Sequence, residues 1–185
     1  MFKIIIIGAS TGGPNALEEL FKQFPANLPV PVLIAQHLPF AFTQTLVDRL
    51  SCLECLKVTT VQNNEIIKPA NAYVIPGNSH FFLSDPGPRI TLLPTDDLQK
   101  PSIDMGFTSV AEHFGPGTIG VILTGMGDDG TIGAKAIKQL GGRVIVQNEA
   151  TSIIFGMPKK VIEAGFADEI LSLHKIATRL VELVT

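Results

Sequence analysis

Residues Lys3 to Leu17 read KIIIIGASTGGPNAL, four consecutive isoleucines that run without a break into a glycine-rich turn and a proline. A β-branched run with no polar alternation reads as a strand buried on both faces, which belongs in a parallel sheet covered by helices on each side. Pro14 suits the first turn of a helix, where its missing N–H costs nothing. The segment is therefore strand, tight turn and helix, with one hydroxyl, Ser10, at the crest of the turn. That local plan serves two chemistries. It can cradle a phosphate at a helix N-terminus, or it can bend sharply enough to hold a serine up as a nucleophile.

The rest of the chain repeats the theme. Strand-like runs fall at Lys3–Ile7, Val30–Ala35, Lys57–Val61, Ala72–Ile75, Thr118–Thr124 and Arg143–Gln147, with a weaker one at Glu169–Leu171. Helical patterns lie between them at Pro14–Gln23, Phe42–Cys52, Ile103–Phe114, Ile132–Gln139, Ile154–Ala164 and Lys175–Leu183. One piece breaks the alternation: HFFLSDPGPRITLLP places two strand-like runs around the turn sequence DPGP and reads as a β-hairpin. The expected fold is α/β, a doubly wound and mostly parallel sheet with helices on both faces and an inserted β-hairpin. With 185 residues the chain is expected to form one domain, residues 1–185, with a full core.

Composition narrows the function classes. Apolar residues make up 45% of the chain but are divided among short runs, none near the ~20 residues of a membrane helix. Met1, Phe2 and Lys3 lead straight into a strand, which leaves no room for a signal peptide. The net charge of −3, without a block of Lys or Arg, argues against a nucleic-acid partner. The only cysteines, Cys52 and Cys55, form a lone C-x-x-C, a poor structural zinc site, and read as small hydrophobes on one face of a helix end. No cofactor and no metal is expected, and a reducing cytoplasm fits best.

In an open parallel sheet, reactive groups collect at the carboxyl ends of the strands. The first strand delivers Ser10 and Thr11, the second Gln36 and His37, and TIGVILTGMGDDG delivers Thr124, Asp128 and Asp129 through another glycine-rich turn. Serine needs a base to take its proton, and a histidine base needs a carboxylate to fix its tautomer. GASTG also fits G-x-S-x-G, so the N–H of Thr11, just after the serine, is a candidate oxyanion donor, with a second donor from TGMGDDG.

Each piece has a plainer reading. Ser10 could cap the following helix, His37 could be an ordinary loop histidine, and the aspartates could be turn residues before glycine. Their joint placement at strand ends favours chemistry. A dinucleotide fold would want G-x-G-x-x-G and an acid after the second strand, but the chain has GASTGG and QH. An α/β-hydrolase order would use Ser10, Asp129 and His174, yet that fold carries its nucleophile on a middle strand rather than the first.

With these residues in place, the chain resembles the catalytic domain of the chemotaxis receptor methylesterases (CheB type) nearly end to end. IGASTGGPNAL resembles the family's nucleophile turn, and QHLPFAFTQTLVDRL its histidine turn and following helix. AYVIPGNSHFFL, KPSID, GVILTGMGDDG and VQNEATSIIFGMPKKVIEAG are similar to its strand and hairpin, substrate-side loop, acid turn and last segment. The resemblance implies a serine hydrolase that demethylates glutamate γ-methyl esters on chemoreceptor cytoplasmic helices, releasing methanol, with deamidation of selected glutamines in the family. It implies Ser10 as nucleophile, His37 as general base and then acid, Asp129 rather than Asp128 as the orienting carboxylate, and Met126 N–H as second oxyanion donor. The partner implied is the methylated chemoreceptor cytoplasmic domain, met in the cytoplasm without membrane insertion. An acidic chain with no apolar helix face left over is expected to be a monomer. The family's N-terminal receiver domain has no counterpart in this sequence. Gly106 stands where the family pattern has an aliphatic residue, which predicts a looser start to that helix. A nucleotide-binding protein and a catalytically inert receptor-binding module are the alternatives.

Overall fold

The computed structural model describes residues 3–185; Met1 and Phe2, read above as the approach to the first strand, lie outside the described residues. The chain order is β1 (Ile4–Ala9), α1 (Gly13–Phe21), β2 (Val32–Gln36), α2 (Thr43–Ser51), β3 (Lys57–Thr60), β4 (Glu65–Ile66), β5 (Asn71–Val74), β6 (Ser79–Ser84) and β7 (Arg89–Pro94). It continues with α3 (Ile103–Phe114), β8 (Thr118–Ile122), α4 (Thr131–Gln139), β9 (Arg143–Gln147), α5 (Met157–Glu163), β10 (Glu169–Leu171) and α6 (Leu173–Val184).

Seven strands form one parallel sheet in the order β10-β9-β8-β1-β2-β5-β3. The isoleucine run sits at its centre, and its side chains alternate between the two faces. Ile5 and Ile7 pack with Leu17, Leu20, Leu46, Leu50, Ile176 and Leu180 under α1, α2 and α6. Ile4 and Ile6 pack with Phe107, Val110, Ile137 and Val161 under α3, α4 and α5. All four isoleucines are fully buried, which is why the run carries no polar residue. The neighbours of β1 are β2 and β8, from halves of the chain wound in opposite directions. Its carboxyl end therefore lies at the reversal of strand order, where open α/β sheets leave a crevice.

The hairpin forms as expected, β6 pairing antiparallel with β7, but the two-residue β4 joins β7 and makes it a three-stranded sheet. Two residues carry no readable alternation, so the sequence holds no signal for β4. The hairpin packs on α3 through Phe81, and a Cβ at Gly106 would lie 2.2 Å from Phe81 Cζ. Gly106 is thus a seat for an aromatic ring in a helix whose N-terminus is capped by Ser102, not a loose start.

Two boundaries differ from the pattern reading for physical reasons. α5 begins at Met157 rather than Ile154, because Gly125 N donates to Ile154 O and both Gly156 N and Met157 N donate to Gly125 O. That stretch is bound to the turn after β8 and cannot start a helix. α2 ends at Ser51, so Cys52 is exposed past the helix while Cys55 joins the core; they do not share a helix face.

Candidate active site

The first glycine turn is shaped by what presses on it. Ser10 N donates to Thr124 O at 3.0 Å, so the chain leaving β1 leans toward β8. Gly12 has φ +83°, a left-handed conformation that favours glycine. A Cβ at Gly13 would lie 1.8 Å from Gln36 Oε1, so the second glycine leaves space for a buried amide. α1 starts at Gly13 with Gly12 as its N-cap and no side-chain cap. Ser10 is therefore not the helix cap, and among the described residues its hydroxyl makes no hydrogen bond.

Parallel pairing sets the next residue. Ala9 stands opposite Gln36 in the β1–β2 ladder, and His37 N donates to Ala9 O at 3.0 Å, so Ser10 and His37 leave neighbouring strands side by side. Ser10 Oγ and the His37 ring are not hydrogen-bonded to each other here; catalytic hydrogen bonds commonly close only once substrate is bound. His37 Nε2 is 2.8 Å from Asp129 Oδ2, each side chain 11% exposed.

Asp129 is held by a helix. Its Oδ2 also accepts from Ile103 N and its Oδ1 from Asp104 N, both at 2.8 Å. These are the first N–H groups of α3, which lack partners within the helix and favour an anion. Burial pushes the Asp129 carboxyl up, but the hydrogen bonds from His37, Ile103 and Asp104 outweigh it, and the group lies below the usual carboxylate range. An ionised carboxylate only accepts. In neutral His37 the proton therefore sits on Nε2, and Nδ1 is left as the basic nitrogen. The chymotrypsin-type triad assigns the two ring nitrogens the other way round.

Asp104 repeats the device in reverse. Its Oδ1 accepts from Gly130 N at 2.9 Å and Gly133 N at 2.7 Å, at the start of α4. Helices α3 and α4 thus exchange carboxylates at their N-termini. Burial pushes the Asp104 carboxyl above its ordinary value, the N–H bond from Gly133 only partly counters this, and the nearby Asp129 charge adds to the rise. Sequence reasoning missed Asp104, which reads as an ordinary acid in a helix's first turn; nothing in the pattern says that it reaches a second helix.

The turn after β8 lies against Ser10: a Cβ at Gly125 would be 2.7 Å from Ser10 Cβ. Thr124 Oγ1 donates to Thr11 O at 2.9 Å and accepts from Ile154 N at 2.9 Å, while Gln147 Oε1 accepts Thr124 N at 2.8 Å. The N–H groups of Thr11 and Met126 donate no hydrogen bond among the described residues.

The other candidates make no hydrogen bond to His37 or Asp129, although Asp128 and His80 line the same cleft as Asp129. Asp128 is exposed. His174 is exposed at the start of α6, beside Ser172 Oγ at 3.2 Å, so the carboxylate of Asp129 serves His37 and not His174. His80 donates from Nε2 to Asp97 at 2.7 Å and accepts from Ser102 N on Nδ1 at 2.9 Å, tying the loop before α3 to the helix start. Among the described residues no group of three or more His, Cys, Asp or Glu can hold a metal ion, and no helix is long and apolar enough to cross a membrane.

Two adjoining clefts flank the pair. One of about 680 Å³ includes Asp129, Asp104 and Met105; the other, about 380 Å³, includes His37 and Lys100, and Asp97 and Leu98 line both. The exposed Leu98 lines both, and Phe40, Phe42, Met126 and Ile153 are further exposed apolar side chains, on the segments that follow β2, β8 and β9.

A family model described as CheB methylesterase matches residues 5–180. The chain belongs to the CheB methylesterase family. Its fold matches the crystal structure of the Thermotoga maritima CheB methylesterase catalytic domain with a TM-score of 0.95 at 40% identity, over 100% of both chains. Curated relatives named protein-glutamate methylesterase/protein-glutamine glutaminase include those of Trichodesmium erythraeum, 40% identical over 98% of this chain, and Moorella thermoacetica, 43% identical over 99%. The chain covers 53% and 44% of those two proteins, so it spans about half the length of the curated relatives it matches. CheB methylesterase membership accounts for the parallel sheet with its small antiparallel companion, and it is a different family from the nucleotide-binding alternative.

Proposed function

We propose that this chain is a serine-type protein-glutamate methylesterase, acting on γ-glutamyl methyl esters carried by the cytoplasmic helices of chemoreceptors. The observation that carries the reading is the His37–Asp129 hydrogen bond beside Ser10 on the paired ends of β1 and β2. Ser10 Oγ attacks the ester carbonyl carbon as its proton passes to His37 Nδ1. The oxyanion of the tetrahedral intermediate accepts from the N–H groups of Thr11 and Met126. Collapse breaks the carbon–methoxy bond, methanol leaves with the proton from His37, and the glutamyl group stays on Ser10 as an ester. Water then attacks that ester, again giving its proton to His37, which returns it to Ser10 Oγ as glutamate is freed. Asp129 keeps the ring in register and steadies the imidazolium formed twice per turnover. With a glutamine side chain, ammonia leaves in place of methanol, which is the glutaminase activity in the relatives' name.

The exposed apolar side chains Phe40, Phe42, Leu98 and Met126, on the segments that follow β2, β7 and β8, support a protein surface as substrate, since a free ester of glutamate would leave them bare. Residues 1–185 act as one catalytic domain, a monomer working in the cytoplasm without metal or cofactor. Ser10→Ala tests the reading by methanol release from a methylated receptor cytoplasmic fragment, where a loss of at least ~10³-fold is expected. Wild-type protein should also be labelled at Ser10 by a fluorophosphonate. Failure to label would point to an inert receptor-binding module.

A further inference from the structure

The ladder between β1 and β2 ends at Ala9 and Gln36, one residue short of the two groups whose spacing matters. The last main-chain bond between the strands runs from His37 N to Ala9 O, and Ser10 N turns away to Thr124 O on the far side. Gln36 fills the gap. Its side chain is 1% exposed, and its Nε2 donates to Ser10 O and to His37 O, both at 2.9 Å. One amide nitrogen thus grips the main chain of both residues at once. The orientation is fixed, since an amide turned over would set its oxygen against two carbonyl oxygens. Its Oε1 is left buried without a partner, packed against the start of α1 at Gly13. A buried acceptor without a donor is unfavourable. A residue retained only for packing would have no reason to carry one.

We propose that Gln36 is a positioning residue, which sets the separation of the Ser10 hydroxyl and the His37 ring by tying their two carbonyls to one nitrogen. The inference rests on the proposed roles of Ser10 and His37. No other side chain bridges these two carbonyls among the described residues. Without the amide, the main-chain bond from His37 N to Ala9 O still joins the strand ends, but the carbonyls of Ser10 and His37 are no longer held to a common point. A misplacement near 1 Å in such a pair costs on the order of 10²-fold in rate.

Gln36→Met keeps the length and volume, removes the donor and also removes the orphaned oxygen, so the fold is expected to hold. The readout is fluorophosphonate labelling of Ser10, followed as rate and as final amplitude, beside kcat and KM for methanol release. The expected result is full amplitude, a labelling rate and kcat lowered roughly 10- to 100-fold, and KM within about threefold. A merely structural role would lower the amplitude, as unfolded molecules drop out, and leave the rate of the remainder unchanged. Should Gln36→Met fail to fold, Gly13→Ala reaches the same amide from outside, because its methyl would occupy the place of Oε1. It is expected to slow labelling in the same way. Wild-type rate and amplitude in whichever variant folds overturns the proposal. Absence of labelling in the wild type, or full turnover in Ser10→Ala, overturns instead the reading on which it rests.

Discussion

Asp129→Asn separates the helix capping made by this carboxylate from the catalytic role proposed for it. In the wild type its two oxygens accept from His37 Nε2, Ile103 N and Asp104 N, each at 2.8 Å. The amide variant has one oxygen and one NH₂ to offer to the same three donors. With the NH₂ toward Asp104, that N–H loses its acceptor. With the NH₂ toward Ile103 and His37, Ile103 N loses its acceptor and the ring must move its proton to Nδ1, the nitrogen that should take the Ser10 proton. Either way one N–H at the start of α3 is orphaned, which costs about 1–3 kcal/mol of stability. Either way the imidazolium also loses its anion, and kcat is expected to fall about 10³- to 10⁴-fold, or ~4–5.5 kcal/mol of barrier.

Methanol release reports the second effect and urea unfolding the first. The acid range gives an independent check. Because the native Asp129 value is held below the unfolded one, its stabilisation is present above the ordinary carboxylate range. It disappears as pH falls through the lowered native value, so the gap between wild type and Asp129→Asn should close in that window. Asp128→Asn, at an exposed position, is the control, with stability within about 0.5 kcal/mol of wild type and kcat little changed. Asp129→Asn with kcat within tenfold of wild type, or a ~10³-fold loss in Asp128→Asn instead, would refute the assignment.

Two further expectations come from the same helix pair. Gly106→Ala gains about 1 kcal/mol of helix propensity but sets a methyl against the buried Phe81 ring, an overpacking worth about 1–3 kcal/mol; a net loss near 1 kcal/mol in urea melts is expected. Phe81→Leu should relieve it, so that the double variant is more stable than the sum of the singles, and simple additivity would count against the contact. Asp104→Asn retains an oxygen for Gly130 and Gly133 while removing a charge that burial disfavours. Wild-type stability should therefore decline as pH rises from the ordinary carboxylate value through the raised Asp104 value, and the variant should lack that decline.

Much of the architecture was legible because the isoleucine run and the strands that copy it have no amphipathic alternative. β9 and β10 fall on their expected residues, and α3 spans Ile103–Phe114 as its pattern indicates. Ser10, His37 and the pair Asp128 and Asp129 could be nominated because each follows a strand at the same sheet edge, while the preference for Asp129 came from the family resemblance. What stayed hidden depends on contacts between distant segments. The delayed start of α5 comes from hydrogen bonds to Gly125, the short β4 from its place beside β7, and the fit of Gly106 from a ring arriving on another strand. The choice of ring nitrogen facing Asp129 is likewise set by side-chain direction, which no spacing reveals.

The exchange of carboxylates between α3 and α4 has a consequence for reading sequences of this kind. An aspartate that caps a helix is under selection for folding whether or not any ester is cleaved. A descendant that had lost Ser10 and become a pseudoenzyme would still need Asp129 to hold α3 against α4. Retention of that aspartate is therefore poor testimony for activity. Ser10, the proposed nucleophile, has a hydroxyl that holds nothing together among the described residues, and on that proposal it is the residue free to drift once turnover no longer matters.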